Sequence, residues 1–330
     1  MLDVFKADAF STLSLTTAIN KLPTARGKIR SMNLFQEKGI PTTTAMIEEK
    51  EGIISLIPTA DRGAPATEGK RARRKVRTLD IPHLPEESSV KATDVQNIRS
   101  FGSDSKMEAV SELVNDKLTG MKQDHEATLE HLMAGALQGS LLDADGVTEI
   151  LNLFTAFNVS EQDEDFEFSA DATDVRALLL SAKRKIEDAL GQATYNGILC
   201  LCWQDWFDAL ISHPDVKAAY DRWNQGEFLR MDPRAGFTFA GITFQEYRGQ
   251  IADVPFIPDA QSRFIPLGVP GLYELYYAPA DFIETANTKG RPYYAKQERM
   301  DFDRGIRLHS QSNPLPICTR PRCLVKGTQS

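Results

Sequence analysis

The 330-residue chain contains no apolar run approaching the roughly 18 residues that a membrane-spanning helix requires, so no membrane partner is expected. Its opening, MLDVFKADAF, lacks the basic region and long apolar core of a secretory signal. Cysteine is scarce. Cys200, Cys202, Cys318 and Cys323 make no disulfide framework in so long a chain, which points to a protein made in a reducing cytoplasm. Positive charge is in deficit too: a net charge of -8 speaks against a general nucleic-acid binder, whose surface would be basic overall.

The marks of an enzyme are also missing. The five histidines (His83, His125, His131, His213, His309) are scattered outside any catalytic frame, and His125 and His131 do not share a helix face at metal-binding spacing. Cys200 and Cys202 are expected on opposite faces of a strand, which would prevent them from chelating one zinc, and Cys318 and Cys323 are wrongly spaced for a zinc knuckle. All four are assigned to core packing. No phosphate-cradling glycine loop, dinucleotide fingerprint or nucleophile elbow is present. The DADG at Asp143–Gly146 lacks the further acidic ligands of a calcium loop. No cofactor, metal or catalytic residue is nominated.

What is present begins with 105–139. Met107, Val110, Val114, Leu118, Met121, Leu129, Leu132 and Ala136 recur at gaps of three and four, broken only where His125 sits. Ser105 with Glu108 reads as a capping box, and Gly139 as the helix-ending glycine. Such a helix is about 50 Å long and greasy along one stripe, so it is a spine that lies against a sheet or a neighbour. A coiled coil is the alternative, weakened by a short seam and Gly120.

Around the spine the text changes character. The first 30 or so residues alternate short apolar pairs with polar ones, an arm that folds only against another surface. From Gly39 to Leu84, β-branched runs predict a strand pair with a turn near Lys50–Gly52, followed by a basic ribbon. Lys70, Arg71, Arg73, Arg74, Lys75 and Arg77 place six cations in eight positions. Three readings stand open for it: a solvated face, a nucleic-acid patch, and a salt-bridging contact with another subunit. After the spine, Asp145–Gly146 predicts a two-residue hairpin turn, with a second strand running to Val159. An acidic stretch with no cation follows, including Glu161, Asp163, Glu164 and Asp165; it is either solvated or the counterpart of a neighbour's ribbon. Thr173 is expected to cap a helix ending at Gly191. A buried strand, Ile198–Cys202, precedes an aromatic-rich helix stopped by His213–Pro214, the pattern of an α/β lobe. A hairpin at Ala240–Gly241 opens a β-rich remainder, whose last two strands join through Asn313–Pro316 and return beside the spine.

The succession GITFQEYRG (Gly241–Gly249), FIPDAQSRFIPLGVPGLYELYYAPADFIETANTKGRPYYAK (Phe256–Lys296) and DFDRGIRLHSQSNPLPICTRPRCLV (Asp301–Val325) resembles the major capsid proteins of lambda-like tailed bacteriophages. DADG, DVRALLLSAKRKIEDALG and WQDWFDALISHPDVKAAY fit the same order. The resemblance implies an α+β fold of the Hong Kong 97 phage type: N-terminal arm 1–38, extended β loop 39–95, peripheral domain 96–174 with the spine, axial domain about 175–290, and return strands 291–330. It implies a shell subunit with no catalytic residues, assembling with copies of itself into pentamers and hexamers around phage DNA held non-specifically. A portal, a separate scaffold (there is no long N-terminal scaffolding region) and a decoration protein would be further partners. No lysine–asparagine pair can be nominated for cross-linking, so stabilisation should be non-covalent. A cargo-enclosing compartment of the encapsulin kind is the alternative.

Overall fold

The computed structural model describes residues 11–22, 27–50, 74–91, 93–94, 106–170, 172–191, 193–217, 219–220, 236–251 and 254–329. The Ser11 hydroxyl accepts from Ser14 N and starts helix α1 (Thr12–Lys21), which buries Leu15, Thr16 and Ile19. One helical turn, α2 (Lys28–Ser31), and strand β1 (Gln36–Gly39) follow. As expected of an arm, these pieces bury their apolar side against the rest of the chain.

Strands β2 (Thr44–Lys50) and β3 (Arg74–Asp80) form a two-stranded antiparallel ribbon, and β4 (Leu84–Lys91) leaves it for another sheet. The turn predicted near Lys50–Gly52 runs outside the described residues, which break off after Lys50. The partner of β2 is the basic strand, with Thr44 opposite Asp80 and Lys50 opposite Arg74. Burial sets that register: Ala45 and Ile47 of one strand and Leu79 of the other enter the core together.

Helix α3 (Lys106–Gln138) is the spine. Val114, Leu118, Met121, Leu129, Leu132 and Ala136 are buried along it. His125 fills the gap in the stripe and is itself buried, with Nε2 2.8 Å from Ser310 Oγ. Gly139 ends the helix at φ 87°, where a Cβ would meet the Phe154 ring at 2.3 Å. Ser105, the proposed cap, lies outside the described residues. The spine rests on strands and on α1 and α2, so it is no coiled-coil strand.

Strands β5 (Ser140–Leu142) and β6 (Glu149–Asn152) make the predicted hairpin with a different turn and a shorter second strand. Residues 143–148 form the connection: Asp145 Oδ1 accepts from Val147 N at 2.9 Å and Thr148 N at 2.8 Å, beside Gly146 at φ 70°. The strand does not run to Val159. Asn152 Oδ1 accepts from Thr155 N at 3.1 Å, and Leu153 and Phe157 bury one face of a short helix, α4 (Leu153–Phe157).

Beyond β7 (Gln162–Asp165), Asp174 rather than Thr173 caps α5 (Val175–Leu190), accepting from Ala177 N at 2.9 Å. The Thr173 hydroxyl donates to Glu167 O instead, at 3.0 Å. Strand β8 (Gly197–Cys202) and helix α6 (Gln204–Ser212) follow, the helix ending at His213 as predicted. Ala240 and Gly241, at φ 52° and 79°, turn β9 (Phe237–Phe239) into β10 (Ile242–Glu246). The remaining strands are β11 (Gln250–Ile251), β12 (Val254–Pro255), β13 (Gln261–Leu267), β14 (Tyr273–Tyr277), β15 (Tyr294–Arg299), β16 (Gly305–Ser312), β17 (Pro314–Cys318) and β18 (Val325–Thr328).

The largest sheet has the order β7-β18-β13-β8-β10-β9, with β10 parallel to β8. Against it, Trp206 meets Phe166 and Phe264 edge-on. Two three-stranded sheets, β15-β16-β4 and β1-β14-β17, complete the body. Strands β16 and β17 meet at Asn313 alone, since Pro314–Pro316, expected in the connection, already belong to β17; they join different sheets, and both touch the spine. The cysteine reading also needs correction. Residues two apart on a pleated strand point the same way, and Cys200 Sγ lies 3.5 Å from Cys202 Sγ. All four thiols are free and buried, and burial pushes those of Cys202 and Cys318 upward.

Candidate assembly surfaces

The arm is held by the spine through polar groups taken out of water. Glu130, buried on α3, receives Ile29 N at 2.7 Å, Arg30 N at 3.1 Å and the Tyr247 hydroxyl at 3.0 Å. A carboxylate there serves the free N–H groups at the start of α2. Arg30 turns back to Glu126, one turn earlier on the spine, and donates to the Tyr293 hydroxyl at 2.8 Å. Burial works against its charge, but Tyr293, Tyr277 and Glu126 outweigh it and keep Arg30 above the ordinary arginine range. At the other end of the arm, Lys122 donates to Leu22 O at 2.6 Å, just past the C-terminus of α1, with its ammonium 5.4 Å from the Tyr293 ring centre. The sequence search missed this clamp. Glu126 and Glu130, four apart on the spine, were the signal.

The basic ribbon divides. Lys70, Arg71 and Arg73 lie outside the described residues, while Arg74, Lys75 and Arg77 belong to β3. Arg77 turns inward: it donates to Ala156 O at 2.5 Å and Phe157 O at 2.9 Å, and its guanidinium lies 5.2 Å from the Phe157 ring centre. On the opposite face of the ribbon, Met46 and Val76 are exposed.

The acidic stretch forms β7, an edge strand paired in parallel with β18. Cations from distant segments neutralise part of it. Glu161 pairs with Arg263 at 2.7 Å and Lys326 at 3.1 Å. Burial opposes its ionisation, yet the hydrogen bonds and charges of these two hold the carboxyl below its usual range. Glu164 pairs with Lys185 at 2.5 Å and accepts from the Ser181 hydroxyl at 3.0 Å. Asp163 and Asp165, two residues apart on β7, are exposed. The sheet therefore brings Glu161, Asp163, Glu164 and Asp165 together but sorts them into an internally paired set and an outward pair.

The model of the family described as phage major capsid protein E matches residues 11–329. The chain belongs to that family. The capsid protein is 26% identical to the major capsid protein of Salmonella phage Felix O1, over 98% of each chain. To that of Pseudomonas phage KPP10 it is 24% identical, over 96% of each. Among solved structures it shares the fold of a prophage capsid-type protein from E. coli CFT073, with a TM-score of 0.60 at 13% identity, covering 98% of this chain and 100% of that one. The capsid of Ralstonia phage GP4 gives a TM-score of 0.52 at 12% identity, covering 90% and 87%. The resemblance to phage major capsid proteins and to their α+β fold of the Hong Kong 97 type thus holds, and the capsid protein is a component of the virion shell. The encapsulin-like alternative is not favoured. Among the described residues no cluster of three or more His, Cys, Asp or Glu is placed to hold a metal ion, and no helix is long and apolar enough to cross a membrane.

Proposed function

We propose that copies of this capsid protein build the pentamers and hexamers of an icosahedral shell, in the host cytoplasm, around a double-stranded DNA genome held without sequence preference. The division into arm 1–38, extended loop 39–95, peripheral domain 96–174, axial domain 175–290 and return strands 291–330 is part of this reading, as are non-covalent stabilisation, the lack of enzymatic activity, and a portal, a separate scaffold and a decoration protein as partners. Its main support is the capsid-family match across nearly the whole chain. Repeated heterologous contacts between unlike patches close into such shells, and weak contacts suffice when each subunit makes many.

Within that reading the ribbon's Lys70, Arg71, Arg73, Arg74 and Lys75 reach an acidic face on an adjacent copy, and the exposed Asp163 and Asp165 supply part of that face. Arg77 is better assigned to anchoring the ribbon at Phe157. Replacing Arg71, Arg73 and Arg74 by Ser should leave folded, soluble subunits that form no shells. Sedimentation and negative-stain microscopy of the expressed protein, with its scaffold co-expressed, should show megadalton shells for the parent. Normal particles from the triple variant would overturn the ribbon assignment, and a small discrete oligomer from the parent would overturn the shell reading.

A further inference from the structure

Two features at opposite ends of β15 have no role in the contacts described so far. At one end the chain turns from β15 into β16, with Met300 N bonded to Gly305 O at 3.0 Å. Phe302 sits in that turn with φ 58° and ψ 22°, a left-handed conformation that is unfavourable for an aromatic residue, and its side chain is 90% exposed. Strain and exposure at one residue are a double cost in a lone subunit. Arg304 lies over the ring at 5.6 Å, while Asp301 beside it is exposed and in no ion pair among the described residues.

At the other end a groove of about 650 Å³ opens between the start of α1 and the segment leading into β15. Leu13, 67% exposed, and Tyr294 give it apolar walls, and Ile283, 95% exposed, stands beside it. Lys289 and Arg291 line it, both exposed and in no ion pair among the described residues. Its one acid, Glu284, is already held by Lys296 at 2.8 Å. The groove therefore offers apolar walls and net positive charge, where the turn offers an aromatic ring and an open carboxylate.

We propose that Phe302 and Asp301 of one copy seat in the groove between α1 and Lys289–Arg291 of a second copy. The six residues of β15 put knob and groove roughly 20 Å apart on one subunit, so neither can reach the other within the chain. A contact between unlike patches of identical molecules is heterologous, and repetition propagates it from copy to copy. The turn becomes buried only on association, which accounts for an exposed aromatic held at positive φ. This inference rests on the shell reading, since it needs many copies side by side.

The buried native thiols make cysteine pairing a clean test. Phe302→Cys and Leu13→Cys subunits are prepared separately, assembled alone or as a mixture, and oxidised mildly. Shell formation by the parent reports on the shell reading separately. In mixed shells a disulfide-linked dimer of the two unlike variants should exceed that in an unassembled mixture at least tenfold. Dimers of Phe302→Cys with itself, or shells with no mixed dimer, would overturn the proposal. So would mixed dimers that appear only when residues 1–9 are deleted, because the arm's own start would then be the occupant. Should either cysteine variant fail to assemble, charge reversal decides: Asp301→Lys should lower shell yield at least tenfold, and Lys289→Asp with Arg291→Asp should restore it. Failure to restore would overturn the proposal.

Discussion

The α1–α2 segment and the β2–β3 ribbon differ in how they are closed: the first is tied to the spine through its polar groups, and the second keeps an exposed face. Around α1 and α2 the charges of Arg30, Glu126, Glu130 and Lys122 find partners between arm and spine and at Tyr247 and Tyr293, which flank β10 and β15. In the ribbon, Arg77 and the face carrying Ala45, Ile47 and Leu79 are tied down, while Met46 and Val76 face outward. A buried charge that loses its partner is costly, whereas an exposed side chain costs the subunit little. Damage to the arm should therefore appear as lost stability, and damage to the outward face of the loop as lost assembly.

The largest effect on the isolated subunit is expected from Arg30→Met. It removes the guanidinium that neutralises the buried Glu126 carboxylate and should lower the free energy of urea unfolding by about 3 kcal/mol. Arg77→Ser removes two hydrogen bonds to carbonyls and a cation–π contact, and should cost about 1–2 kcal/mol in the same measurement.

A subtler probe lies where β4 meets the spine. Burial, then the charge and hydrogen bond of Asp124, raise the Glu86 carboxyl to about 7 from an ordinary 4.5. Burial lowers His125 to about 4 from 6.5, against the pull of Asp124, with His309 reinforcing the decrease. His125 is thus neutral near pH 7, and its 3.8 Å approach to Glu86 is no ion pair at that pH. Glu86 favours folding at low pH, a contribution lost as pH rises from 4.5 to 7, while His125 opposes folding as pH falls from 6.5 to 4. Between pH 4.5 and 6.5 the two slopes oppose one another. Glu86→Gln should uncover stability that rises with pH between 4 and 6.5, and His125→Asn stability that falls between 4.5 and 7, both read from urea midpoints across pH. Parallel profiles for parent and variants would remove both assignments. Smallest of all, Met46→Thr with Val76→Thr should change subunit stability by about 0.5 kcal/mol or less.

Local pattern made much of this fold readable. The spine announced itself through one apolar stripe, and His125 stood in the gap because a buried, hydrogen-bonded imidazole can take an apolar position. The Ala240–Gly241 hairpin and Gly139 followed from turn chemistry alone. Short-range competition defeated the reading at Asn152, where a side-chain cap and two apolar residues four apart outweighed β propensity. Non-local pairing defeated it in the acidic stretch, because Arg263 and Lys326 lie 102 and 165 residues from Glu161. The same holds for β2, which pairs with a strand starting at Arg74. The clamp's signal, Glu126 and Glu130 four apart on the spine, is one that any solvated helix face also carries, so it gains meaning only once the arm lies over them.

Strand β18 sits inside the largest sheet, antiparallel to β13 on one side and parallel to β7 on the other. A nascent polypeptide cannot complete that sheet until residue 328 has cleared the ribosome. Until then β7 and β13 have an empty slot between them, and Glu161 has Arg263 but not Lys326 as a counter-charge. Completion of the sheet is thereby a closure over roughly 160 residues, from Gln162 to Val325, and contacts of such separation are the slow ones to form.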